Sequence, residues 1–375
     1  MKNNIFCYAP WSNLEIIPSG EILPCCKFQN IDNKFRIDQH SISDYRNSIL
    51  LEKTKQSFID GQWPKGCERC RLEEYNNIKS KRQLDYERWK EDYDTYNLDS
   101  NQLLTISMAF GNVCNLKCIT CNPGASSLWK KEYKDIYNIE IKSIESHRKD
   151  LINNITNIAP ALIHMDIHGG EPFLSGIEEH KNLLEHYIQT NAAKNISIHY
   201  TTNGTIWPQQ WIEYWKHFRE IDLQISIDGI HNRYEYIRFP GKWNTLVENI
   251  EKYQQYQKEN SNFRISISHT VSAYNIYYLD EFFTWCYNNK LPRPWLGRVH
   301  DPAHMRPSVW PWEIKNKIIT HLKNSKWEDV QTWAGLLSNT NDQDQFEMFK
   351  TKIHEHDTYR KISFINAFPE LAEYI

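Results

Sequence analysis

The sequence predicts an α/β fold: a partial barrel of parallel strands, with a small cysteine-rich domain before it and a mostly helical extension after it. Three observations carry this expectation. Short strand-like runs recur between segments of helical length, the pattern of a parallel sheet built from βα repeats. Those runs put apolar side chains on one parity and polar ones on the other. Eight of the nine cysteines fall within the first 121 residues.

At 375 residues the chain exceeds the roughly 250–300 residues at which a single core stops growing, so one large α/β unit or two unequal domains are expected. Lys and Arg total 44 against 47 Asp and Glu, a net charge of -3, which gives no clear nucleic-acid surface and no general attraction to an acidic membrane. No long uncharged apolar run is present, so no membrane span is expected. Met1-Lys2-Asn3-Asn4 and the six residues that follow contain no apolar stretch of signal-peptide length, which predicts a cytoplasmic protein whose cysteines stay reduced.

In chain order, residues 1–75 hold Cys7, Cys25, Cys26, Cys67 and Cys70 and form the cysteine-rich domain. Residues 76–100 are highly charged and are expected to form a solvated linker helix. The barrel spans 101–300, with strands near 104–110, 163–168, 196–202, 223–228, 264–270 and 294–299. Helices are expected near 177–191, 208–217, 243–259 and 278–289, and residues 301–375 form the helical extension. The alternation of Ile163, Met165 and Ile167 with His164, Asp166 and His168 recurs around His199 and Asp228. With the apolar set packed on helices, the polar set lines a hollow interior. His164, Asp166, His168, His199 and Asp228 are therefore candidates for contact with a ligand.

Cys114, Cys118 and Cys121 form a C-x3-C-x2-C loop. Three thiolates on so short a loop can face one compact [4Fe-4S] cluster and leave one iron open. Farther on comes His168-Gly169-Gly170-Glu171-Pro172. Together these motifs resemble the radical S-adenosylmethionine (SAM) superfamily, whose signature loop ends the first strand of a partial (β/α)6 barrel and whose GGEP motif ends the second. The resemblance implies that the three-cysteine cluster chelates SAM. It also implies that Gly169, Gly170, Glu171 and Pro172 lie against the methionyl end of SAM. Asn203 at the third strand end, Ser226 in the fourth-strand segment and Arg238 after it match further SAM-binding positions; for Arg238 a surface ion pair is the other reading. The residue before the third cysteine is Thr120, where the family often has an aromatic residue.

Cys7, Gly20 and Cys25 resemble the C-x9-15-G-x4-C opening of SPASM and twitch domains, which carry auxiliary clusters. Cys67 and Cys70 complete a set of four thiolates for a second [4Fe-4S] cluster. Cys26 competes with Cys25, and a structural zinc on the same four residues remains the alternative. Ser127, Trp129 and the closing stretch 357–369 also match this subgroup. Such a protein is expected to be an enzyme that cleaves SAM to a 5′-deoxyadenosyl radical and abstracts a hydrogen atom from a peptide or protein side chain. A small metabolite is the alternative substrate, and a non-catalytic iron-sulfur or zinc interaction module the alternative role. An electron donor such as flavodoxin or ferredoxin would be the partner.

Other features are expected to be structural. Cys286 shares a helical face with Phe282 and Phe283, which suits a core position. His300 and His304 flank a proline in a polar loop. Trp207, Trp211 and Trp215 recur at helical spacing as a packing stripe, with few cations between them.

Overall fold

The computed structural model describes residues 5–29, 35–75, 79–100, 102–141 and 151–375. Residues 1–4, part of the stretch on which the expected localisation rests, lie outside them. Eight strands form one mixed sheet: β1 (Asn13–Ile16), β2 (Ile22–Leu23), β3 (Thr105–Ala109), β4 (His164–His168), β5 (Ser197–Thr202), β6 (Glu220–Ser226), β7 (Phe263–Val271) and β8 (Trp295–Arg298). Their order is β2-β1-β3-β4-β5-β6-β7-β8. The β1–β2 pair is antiparallel, whereas β1–β3, β3–β4, β4–β5 and β7–β8 are parallel. The six expected barrel strands are all present, and the helices Ile177–Gln189, Trp243–Glu259 and Leu279–Asn288 lie where helical periodicity put them.

The chain divides into two compact units. The first comprises Met1–Val113, Ser143–Tyr200 and Gln209–Ile221. Its strands keep the expected parity. Leu14, Ile16, Ile106, Met108, Met165, Ile167, Ile198 and Tyr200 on one face are at most 1% exposed. On the other face, register aligns Glu15, Ser107, Asp166 and His199 in one row and Asn13, Thr105, His164 and Ser197 in the next. β1 and β2 were not expected. β1 joins β3 because its own alternation, Asn13 and Glu15 against Leu14 and Ile16, continues the polar and apolar faces of the sheet.

The expected linker helix is instead two short helices, Lys81–Arg88 and Lys90–Thr95, with Trp89 between them. A Ser80–Gln83 capping box starts the first. Trp89 and Tyr93 are buried in an aromatic cluster with Phe6, Tyr8, Trp11 and Phe58, and Tyr8 stacks on Tyr93 at 4.3 Å. Burying those two rings outweighs the solvation expected of a charged stretch; residues 76–78 lie outside the described residues. The segment 208–217 forms only the helix Ile212–Trp215, and Trp211 and Trp215 pack against Phe173.

The second unit comprises Cys114–Lys142, Thr201–Pro208 and Asp222–Ile375. In it Leu223, Ile225 and Ile227 are fully buried, while Ser226 meets the Ser268 hydroxyl at 3.2 Å. Trp207 packs on Tyr253, and Cys286 is 1% exposed in the core. The C-terminal helices Trp312–Lys323, Glu328–Ser338 and Phe346–Arg360 complete the unit. Among the described residues no helix is long and apolar enough to cross a membrane.

Candidate active site

In the second unit, the cysteine loop is fixed by its backbone. Lys117 N–H donates to the Phe239 carbonyl at 2.7 Å and Ile119 N–H to the Ile237 carbonyl at 2.8 Å. Leu116 and Ile119 plug into the core, which leaves Cys114, Cys118 and Cys121 half-buried. Two of the sulfurs receive N–H groups: Leu116 N–H and the Asn203 amide reach Cys114 Sγ at 3.4 and 3.9 Å, and Arg238 Nη1 reaches Cys118 Sγ at 3.9 Å. Asn203 is oriented by its bond to Asn115 at 2.8 Å and by accepting from Thr205 N–H at 2.9 Å.

Burial pushes the Cys121 thiol up to about 12, so a thiolate there needs a cationic partner. For Cys118, burial raises the thiol while Arg238 and Arg360 favour its charged form. Three thiols on one rigid loop, with N–H donors already aimed at sulfur, fit a three-thiolate iron-sulfur cluster.

Arg238 and Asp228 form an ion pair at 2.8 Å, and Asp228 also accepts from Thr270 N–H at 2.8 Å. Asp228 is therefore spent on Arg238 and the backbone. Arg238 is 8% exposed, so it makes a buried pair turned toward sulfur, not a surface one. Reasoning from sequence missed Glu132, His356 and Arg360, which gather behind this loop; the only local sign was Lys117, a cation within the loop itself.

In the first unit, Gly169 and Gly170 follow β4 with φ of +82° and +54°. A Cβ on Gly170 would lie 2.3 Å from the Val113 carbonyl oxygen, so only glycine fits. Glu171 N–H donates to that same carbonyl at 2.8 Å, and Glu171 itself is fully buried; Pro172 follows it in the turn. The polar row is closely paired. His168 Nε2 lies 3.0 Å from Glu15 and 3.1 Å from the Ser107 hydroxyl, and His164 lies 3.2 Å from Asp166. Burial opposes the Asp166 charge, but His164, His199 and Lys81 hold its carboxyl well below the usual range. Glu15, which sequence reasoning did not single out, holds His168 above the usual imidazole value against burial.

The N-terminal cysteines also gather in the first unit. Gly20 turns the β1–β2 hairpin, its N–H donating to the Ile17 carbonyl at 2.8 Å. Cys25 lies within electrostatic reach of Cys7 and Cys67, Cys67 of Cys7 and Cys70, and Cys7 of Cys70. Cys26 lies within electrostatic reach of Cys25 as well, and of Lys81, Glu15, Asp166 and Asp85. Burial pushes Cys7 up to about 12. Among the described residues, no three His, Cys, Asp or Glu side chains converge tightly enough to hold a single metal ion.

Residues 108–272 match the family model described as the radical SAM superfamily. No curated protein matches the chain. Among solved structures, anSMEcpe with bound AdoMet and a peptide is 20% identical over 59% of this chain and 58% of that one, with a TM-score of 0.42. Streptococcus suis SuiB bound to its precursor peptide SuiA is 13% identical over 82% of this chain and 66% of that one, at a TM-score of 0.35. The radical SAM methyltransferase TsrM from Kitasatospora setae, with cobalamin and a [4Fe-4S] cluster, is 10% identical over 59% and 38%, at 0.37. The chain thus spans less than two thirds of the anSMEcpe chain it matches.

Proposed function

We propose that the radical SAM domain carried by residues 108–272 makes this protein an iron-sulfur enzyme that cleaves SAM reductively and abstracts a hydrogen atom from a peptide or protein side chain. The observation that carries this reading is the loop of Cys114, Cys118 and Cys121, with N–H groups already directed at two of its sulfurs. A [4Fe-4S] cluster on these thiolates would pass one electron to the sulfonium of SAM and so yield the 5′-deoxyadenosyl radical.

The chain's own residues orient and protect. Leu116 N–H, Asn203 and Arg238 stabilise thiolate charge, and Asp228 aims the Arg238 guanidinium. Gly169 and Gly170 present bare backbone, which suits the role of receiving the methionyl amino group that the motif resemblance implies. Ser226 keeps the SAM contact that the same resemblance gives it. The peptide substrate and an electron donor of the flavodoxin or ferredoxin class rest on that resemblance too.

Cys7, Cys25, Cys67 and Cys70 form a second, fully ligated cluster site of the SPASM and twitch kind. Its support is the chain of electrostatic neighbours among these four thiols, Cys25 with Cys7 and Cys67, and Cys70 with Cys7 and Cys67. Anaerobic reconstitution should then load about eight irons per chain, falling to about four when Cys114, Cys118 and Cys121 are replaced by Ala. Chromatography should detect 5′-deoxyadenosine from the reduced wild type and from Cys70→Ala, but none from Cys118→Ala. Four irons plus one zinc in the wild type would reject the auxiliary cluster, and retained cleavage by Cys118→Ala would reject the SAM site.

A further inference from the structure

Behind the cysteine loop the second unit buries an ionic knot that the proposed chemistry does not call for. Glu132, in the helix Trp129–Tyr137, is fully buried. Its carboxylate meets Lys117 Nζ at 2.7 Å, Arg360 Nε at 3.0 and 3.1 Å, and His356 Nδ1 at 3.1 Å. Lys117 belongs to the cysteine loop, whereas His356 and Arg360 end the C-terminal helix Phe346–Arg360.

The Arg360 side chain has no solvent exposure, and its Nη1 and Nη2 are buried with no hydrogen-bond partner. Its guanidinium lies 4.5 Å from the centre of the Trp129 ring and 5.4 Å from that of Phe239. Both rings belong to the loop's support: Trp129 Nε1 donates to the Cys118 carbonyl at 3.1 Å, and Phe239 accepts from Lys117 N–H at 2.7 Å.

The charges do not cancel. Burial opposes ionisation of Glu132, but His356, Arg360 and Lys117 hold its carboxyl down at about 2, so it carries one negative charge. Lys117 and Arg360 carry two positive ones, and burial pushes His356 below the usual imidazole range, toward its neutral form. One net positive charge is left in a water-poor layer directly behind the loop. Burying an arginine with two bare nitrogens is costly. For pinning a helix alone, an apolar residue stacked on Trp129 would serve at lower cost.

We propose that Arg360, from the C-terminal helix, and Lys117, from the loop itself, are electrostatic positioning residues that set the reduction potential of the loop cluster. The inference rests on the reading of Cys114, Cys118 and Cys121 as the cluster ligands. One-electron reduction by the external donor adds negative charge to a cluster that is already anionic. A buried positive charge stabilises the reduced form, and net charge around a cluster is one of the main determinants of its potential. Glu132 tempers the effect by cancelling one of the two cations, so its removal should act in the opposite sense to removal of Arg360.

The test is a redox titration of the anaerobically reconstituted enzyme by electron paramagnetic resonance, following the reduced-cluster signal that changes when SAM is added. In Arg360→Gln at full iron content, the ratio of reduced to oxidised cluster at a fixed poise should fall about tenfold, which is about 59 mV for a one-electron couple. Arg360→Lys should restore most of it, and Glu132→Gln should move the ratio the other way. If Arg360→Gln does not fold, Lys117→Gln reads the same sign from a side chain only 15% exposed. Full iron with an unchanged potential in the charge-removing variants overturns the inference and leaves the cluster assignment standing. A wild type that binds no iron on the three loop cysteines overturns the assignment itself, and the inference with it.

Discussion

The two sets of thiols are built in opposite ways. Cys114, Cys118 and Cys121 come from one short loop, and two backbone hydrogen bonds to Ile237 and Phe239 fix it. Cys7, Cys25 and the Cys67–Cys70 pair come from three separated segments. Cys7 and Cys67 are held beside each other by the aromatic cluster of Phe6, Tyr8, Trp11, Phe58, Trp89 and Tyr93. A local set can keep its shape through the backbone alone, whereas a dispersed set depends on side-chain packing. Spacing therefore exposes the first in the sequence, and only the fold can gather the second.

The largest effect expected from this contrast is at Cys25 and Cys26. Neighbours in sequence and within electrostatic reach of each other and of Lys81, they differ beyond that: Cys25 also senses Cys7 and Cys67, whereas Cys26 senses Glu15, Asp166 and Asp85. Cys25→Ala should cut iron from about eight to about four per chain, whereas Cys26→Ala should leave it near eight. The opposite result, measured by iron analysis after anaerobic reconstitution, would mean that the hairpin presents the other thiol to the cluster.

Much of the barrel was legible because alternation is a local signal. His164, Asp166 and His168 were separable from Met165 and Ile167 without knowing any neighbour, and the strands carry them on opposite faces. The turn at Gly169 and Gly170 was legible for the same reason. What the sequence concealed was pairing across long stretches of chain. Glu15 meets His168 only because β1 joins the sheet beside β3. Arg238 meets Asp228, which changes both residues from free groups into a fixed pair. The charged residues 76–100 read as solvated, yet Trp89 and Tyr93 within them found an aromatic partner surface formed by Phe6, Tyr8, Trp11 and Phe58. Glu132 and Arg360 are 228 residues apart, beyond the reach of any periodicity.

A second, smaller effect sharpens the contrast between the two faces of one strand. Ile198 is 1% exposed in the apolar layer, and His199 aligns with Asp166 in the polar row. Ile198→Asp puts an unpaired charge in the apolar layer and should cost about 4 kcal/mol or more of unfolding free energy. His199→Leu should cost less than Ile198→Asp, because it spares that layer and gives up only the electrostatic support of Asp166, while weakening SAM or substrate binding. Denaturant unfolding and SAM affinity measured on both variants decide the matter: a silent Ile198→Asp beside an unfolded His199→Leu would invert the faces.

The smallest effect concerns acid, and it compares one buried histidine from each unit. His180 stacks between Phe110 and Trp211, with its Nε2 2.9 Å from the Tyr200 hydroxyl, and burial pushes it down to about 3. His269 donates from Nδ1 to the Ile227 carbonyl at 2.8 Å, and burial pushes it down to about 4. Both folded-state values lie below the ordinary imidazole value near 6.5, so the unfolded chain binds protons first as pH falls. Their contribution to stability is complete above about pH 6.5. It is lost progressively below that value, down to about 3 for His180 and about 4 for His269. At pH 5 each should have cost its unit about 2 kcal/mol relative to neutral pH. His180→Phe keeps the ring stack but removes the hydrogen bond to the Tyr200 hydroxyl, a loss of about 1 kcal/mol at pH 7. It also removes the proton uptake, so at pH 5 the variant should be the more stable protein by about 1 kcal/mol. Unfolding of wild type and variant at the two pH values should therefore show their order reversing. Parallel curves would mean that folding leaves the His180 imidazole near its ordinary value, so that the aromatic stack does not oppose its charge.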